Sequence, residues 1–275
     1  MDSAFYSELS LEQAGTGSQS ELSGTVTSNP ACGGPWSPQL QHGGPPSALL
    51  VLVAERLAAS AAGRDDLVAA RTAVEFIGPV PVAELRIAAR VNRLSRSGVL
   101  VTAELGTVER SCLHARVWLL APGEQPPAEP GAVSHPDRLD PNTLPPFDFD
   151  AFDHFHYARQ LDWRRVTGSA LRPGPAAVWI RSRVPLLAGC SLSALQRAAL
   201  LADSASGISA ELSWHEWSFA NVDLDLHLFR AGVGEWLLVD AVTSLGAGMA
   251  MTRSRLADLD GDVGAGLQTL LVRRR

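Results

Sequence analysis

Lysine is absent from this 275-residue chain: all 23 basic residues are arginine. That excludes a Schiff-base lysine, a phosphate-loop lysine and a Ser–Lys dyad. Cysteine is scarce. Cys32, Cys112 and Cys190 are odd in number, widely spaced and without a CxxC, so neither a disulfide framework nor a zinc site is expected. Surplus positive charge is missing as well. A net charge of -6 and a pI near 5.6 leave no basic field to hold nucleic acid by its phosphates. The first ten residues, MDSAFYSELS, carry acids where a secretory leader would carry bases. No uninterrupted apolar run reaches the roughly 18 residues of a membrane helix. A cytoplasmic protein without a membrane span is the expectation.

What the chain does have is apolar mass. Hydrophobic residues make up 46% and the mean hydropathy is +0.06, values of a globular chain rather than a disordered one. The stretch QLQHGGPPSALLVLVAERLA, residues 39 to 58, concentrates it. A helix that greasy is apolar nearly all round, as a helix is when a sheet wraps it.

Between Pro122 and Pro146 eight prolines fall in 25 residues, a density that breaks helix and ladder alike. This divides the chain into an N-terminal domain (1–121), a linker (122–150) and a C-terminal domain (151–275). The two flanks resemble each other. In the first, SALLVLVAERLAASAAG reads as a helix, and Leu85, Ile87, Ala89 and Val91 then alternate with polar residues at period two. In the second, SLSALQRAALLADSAS reads as a helix, and Val222, Leu224, Leu226 and Leu228 alternate in the same way. Late hairpins are expected at RLSRSG (93–98) and RLADLDG (255–261), with glycine supplying positive φ. The pattern is strand, helix and four antiparallel strands, twice over. It predicts an α+β fold in which each helix is buried against one continuous sheet.

That layout is that of a double hotdog and resembles the acyl-CoA thioesterase II family. The resemblance lies in RAALLADSASG with Asp203, in EWLLVDAVTS with Thr243 and Ser244, in GAGLQTLLVRR with Gln268, and more loosely in GPW…QHGGPP. It implies hydrolysis of a fatty acyl-CoA to free acid and CoA. It also implies a catalytic trio of Asp, Ser/Thr and Gln, falling on Asp203, Ser244 and Gln268. Thr243 is the alternative hydroxyl, because a register slip of one residue exchanges it with Ser244. At the first helix, Pro45 stands where the family's usual form has Gln.

The chemistry can also be read from the residues. A carboxylate near the end of a buried helix can act as general base toward water, its pKa raised by apolar surroundings. A hydroxyl and an amide can hold the same water. His42, Gly43 and Gly44 form a candidate substrate-binding mouth, where backbone N–H groups could face a thioester oxygen. Neither a covalent nucleophile nor a cofactor is expected. Glu55 occupies a place in the first helix like that of Asp203 in the second, and Glu104 lies near the counterpart of Gln268. These are read as a diverged second site.

DLDGD (258–262) mimics a calcium loop but lacks the distal Glu, and reads as a turn. His154 and His156 could face a metal, though a strand with an acidic lead-in is the plainer reading. Two rival functions remain. One is a non-catalytic acyl-thioester-binding protein. The other is a hydratase or dehydratase built on Asp148 with His154 or on Asp153 with His156. A homo-oligomer, dimer or higher, is expected.

Overall fold

The computed structural model describes residues 4–124, 139–147, 155–169 and 172–275. The linker's central residues, together with Asp148, Asp153 and His154, lie outside them.

The N-terminal half runs β1 (Tyr6–Ala14), β2 (Glu21–Ser28), α1 (Gly44–Ala62), β3 (Val68–Phe76), β4 (Glu84–Ser95), β5 (Gly98–Gly106) and β6 (Ser111–Leu120). The C-terminal half runs α2 (His156–Arg159), β7 (Leu161–Thr167), β8 (Ala176–Ser182), α3 (Ala194–Ala202), α4 (Ala205–Ile208), β9 (Trp217–Asn221), β10 (Asp223–Leu228), β11 (Leu237–Leu245), β12 (Met249–Asp258) and β13 (Gly261–Arg274). Among the described residues thirteen strands form one sheet, in the order β1-β2-β4-β5-β6-β3-β10-β13-β12-β11-β8-β7, with β9 also paired to β13. The halves join where β3 meets β10, with Val74 opposite Leu224. This is the expected double hotdog. The expected repeat was too lean, however: two strands precede each helix, and five follow the second.

Period two holds in both stretches with one exception. Leu85, Ile87, Ala89 and Val91 are buried while the residues between them are exposed. Leu224, Leu226 and Leu228 are buried, but Val222 is exposed in the break between β9 and β10. Both hairpins form, and their glycines differ in purpose. Gly261 has φ +129, whereas Gly98 is required because a Cβ there would lie 2.6 Å from the Leu119 carbonyl.

By length and composition α1 could cross a membrane. It lies instead inside the protein, with every residue from Gly44 to Ala54 buried. Its first turn contains Pro45 and Pro46, whose missing N–H groups cost nothing there. Each fully buried Leu or Val on it contributes about 1.5–3 kcal/mol. The second helix is shorter than expected. It stops at Asp203, which caps α3, and resumes as α4. α1 and α3 pack directly on one another, so closely that a Cβ on Gly44 would lie 2.2 Å from the Leu200 carbonyl oxygen.

Candidate active site

Asp203 sits at the break between α3 and α4 and is 3% exposed. Gln268, on β13, is 2% exposed and spans that break. Its Nε2 donates to the Asp203 backbone oxygen at 3.1 Å and to Asp203 Oδ1 at 3.3 Å, and its Oε1 accepts from the Ser206 N–H at 3.2 Å. A polar residue on an apolar strand therefore fixes the carboxylate's backbone and its side chain together. Asn221, the last residue of β9, donates from Nδ2 to the same Oδ1. It stands where the strand breaks before β10.

The other carboxylate oxygen faces the N-terminal half. Asp203 Oδ2 lies 3.0 Å from His42 Nδ1, which in turn lies 3.2 Å from the Gly44 amide. The His42 ring stacks on Tyr157 at 3.9 Å and 5°. Tyr157 is pinned by its hydroxyl, which donates to the Leu200 carbonyl at 2.6 Å. The amides of Gly43 and Gly44, at the start of α1, also hydrogen-bond Asp203. Glycine is needed at 43 because a Cβ there would lie 2.8 Å from Asp203 Oδ2 and 2.7 Å from the Phe76 ring.

Burial outweighs these donors. It pushes the Asp203 carboxyl up to about 7, against hydrogen bonds from Gly44, Gln268, Asn221 and Gly43 that pull the other way. The same burial pushes His42 down to about 3. Near neutral pH the imidazole is thus uncharged, its Nδ1 accepting from the Gly44 N–H, and the Asp203–His42 contact is not a full ion pair. A carboxyl that titrates near 7 at the wall of a cavity is suited to take a proton from water. The cavity measures about 350 Å³ and is lined by His42, Gly43, Asp203 and Asn221 among apolar and aromatic residues.

The expected hydroxyls do not join this cluster. Alternation along β11 turns Ser244 out to solvent. Thr243 points inward, but its Oγ1 meets Ser209 Oγ at 2.8 Å and Thr252 Oγ1 at 2.7 Å, and it does not line the Asp203 cavity. In their place stand Asn221 and His42. Asn221 carried one sequence signal, an amide in a run of strand formers where Asn is disfavoured. For Gly43 and Gly44 the expectation was an open backbone facing substrate, whereas their amides turn onto Asp203.

The quasi-symmetric position holds Glu55. It accepts from Ser193 Oγ at 2.7 Å and from Gln196 Nε2, the two residues of the α3 capping box. Each helix thus carries a carboxylate to the start of the other. Glu104 does not join Glu55: it faces outward on β5, 3.7 Å from His114. At DLDGD, Asp258 pairs with Arg230 and accepts from the Val233 and Asp260 amides, closing the hairpin.

Residues 33–120 match the family model of the acyl-CoA thioesterase N-terminal domain, and residues 136–272 match that of the acyl-CoA thioesterase C-terminal domain. No curated protein matches the chain in sequence. Among solved structures the chain is similar to an acyl-CoA thioesterase II from Mycobacterium marinum, at 18% identity and TM-score 0.67, covering 97% of this chain and 96% of that one. It is also similar to a hot dog fold protein of unknown function from Alicyclobacillus acidocaldarius, at 17% identity and TM-score 0.71, covering 97% and 96%. At these identities the likeness speaks to fold.

Proposed function

Because this chain belongs to the acyl-CoA thioesterase family, we propose that it hydrolyses an acyl-CoA thioester to a free acid and CoA, with Asp203 as general base toward water. The observation that carries the reading is a single one: a carboxyl titrating near 7 on the wall of a largely apolar cavity, held by four donors from both halves of the fold. Water bound at Asp203 gives its proton to the carboxylate as its oxygen attacks the thioester carbon. The carbonyl becomes an oxyanion, the C–S bond breaks, and the CoA thiolate leaves and regains a proton. Asn221 and Gln268 fix Oδ1, and His42 with the α1 amides fixes Oδ2. The N-terminal end of α1 stabilises negative charge beside it. No covalent intermediate is required.

We also propose that the enzyme works as a homo-oligomer in the cytoplasm. The test of activity is thiol release over a panel of acyl-CoAs. Thiol release supports hydrolysis, whereas tight acyl-CoA binding without it would make the protein a thioester carrier. The His42–Asp203 contact favours one other reading, addition of water to an enoyl thioester. Loss of enoyl absorbance without thiol release would select that reading.

A further inference from the structure

The chain has few aromatic residues, seven Trp, two Tyr and eight Phe, or 6%. Six of those rings line the one cavity that holds Asp203. They come from well-separated parts of the sequence: Trp36 before α1, Phe76 at the end of β3, Phe155 before α2, Trp163 on β7, and Trp214 and Phe219 around the start of β9. Scattered origin and common destination make the lining a feature of the site rather than of local composition.

The rings brace one another. Trp36 stacks on Trp214 with centroids 5.3 Å apart, Phe219 meets Trp36 edge-on at 5.2 Å, and Trp214 meets Phe219 at 4.7 Å. Arg275 lies over the Trp36 ring at 5.7 Å and donates to the Trp214 carbonyl at 3.1 Å. At the carboxylate, Phe76 packs against Gly43, and Phe155 stacks on His42 at 5.7 Å. The first atoms beyond an attacked carbonyl therefore lie among flat ring faces.

On the thioesterase reading above, we propose that the acyl group is aromatic, an arylacyl or aryl-acetyl thioester of CoA, rather than a long straight chain. A planar ring gains offset-stacked and edge contacts from such walls in addition to its buried area. A polymethylene chain gains area only and loses rotamer freedom on entry. The cavity, about 350 Å³, has room for a ring, its carbonyl and the nearest part of the thiol arm.

The experiment compares phenylacetyl-CoA and benzoyl-CoA with palmitoyl-CoA by thiol release. The arylacyl substrates should show kcat/KM about tenfold or more above palmitoyl-CoA, the discrimination roughly one good ring–ring contact supplies. Trp214→Leu should shrink that ratio, with its melting temperature checked in parallel. Equal rates, or a preference for palmitoyl-CoA, would overturn the proposal and leave the thioesterase reading intact. If no substrate turns over, that reading fails, and binding to Asp203→Asn followed by tryptophan fluorescence decides the proposal on its own. Tighter phenylacetyl-CoA binding upholds it; tighter palmitoyl-CoA binding, or no binding of either, overturns it.

Discussion

Burial sets the protonation of Asp203 against its own hydrogen bonds, and the linkage this creates has a definite sign. Its pKa is about 7 in the folded chain against an ordinary carboxylate value of 3.8, so between those pH values the folded state holds the proton more tightly than the unfolded state. The group's contribution to stability is fully present below the lower value and is lost as pH rises toward 7. Asp203→Asn removes the titration. Its melting temperature should exceed that of the wild type at pH 8, and the gap should close toward pH 4. Around Asp203, Asn221 and Gln268 both donate to Oδ1, so their effects should overlap. In a cycle of Asn221→Ala, Gln268→Ala and the pair, read as kcat/KM, the double loss should fall short of the sum of the single losses. Strict additivity would separate their roles. Ser244→Ala, on the outer face, should leave kcat/KM unchanged. Asp203 and Gln268 were picked out by the family resemblance, and Gln268 also stood out as a polar residue in an otherwise apolar strand. His42 pairs with a residue in the other half of the chain, and no spacing rule spans that distance.

At the scale of elements, the site depends on how closely two helices approach. Gly44 lies against the Leu200 carbonyl with no room for a Cβ, and Asp203 follows three residues after Leu200. Gly44→Ala must push α1 and α3 apart. Overpacking of that kind costs typically about 1–3 kcal/mol, which for a chain of this size lowers Tm by roughly 2–4 °C per kcal/mol. Activity should fall more steeply than stability, because Asp203 and the Gly43 and Gly44 amides separate together. An unchanged Tm and rate would mean that the contact is slack. The two long helices and the central strands were readable from periodicity, whereas the second strand before each helix and β9 were not. Nor was the break at Asp203: Asp, Ser and Gly in LADSASG weaken a helix without marking where it stops, and the broken backbone is met by Gln268 from β13 and by the Tyr157 hydroxyl. The register of β11 was equally illegible. Val-Thr-Ser offers two hydroxyls on opposite faces, and only the neighbouring strands decide which one turns inward.

Over the whole molecule, the two halves share one sheet through β3 and β10 and one site through α1 and α3. We propose that residues 122–150 connect two folding halves and that limited proteolysis cuts there first. The nicked chain should stay together on gel filtration and keep its activity, because the β3–β10 pairing that joins the halves and the residues around Asp203 lie outside that segment. First cuts inside either half would contradict the boundary. The measurement that tests the central claim most directly is kcat/KM for thiol release from an acyl-CoA, followed from pH 5 to pH 9 in the wild type and in Asp203→Asn. The wild-type profile should rise with pH through a single limb near 7, as the carboxyl loses its proton. Asp203→Asn should be folded, slower by about 10²-fold or more, and without that limb. An Asp203→Asn enzyme that keeps wild-type turnover and the same pH limb would show that the proton goes elsewhere and that this site is not the catalytic one.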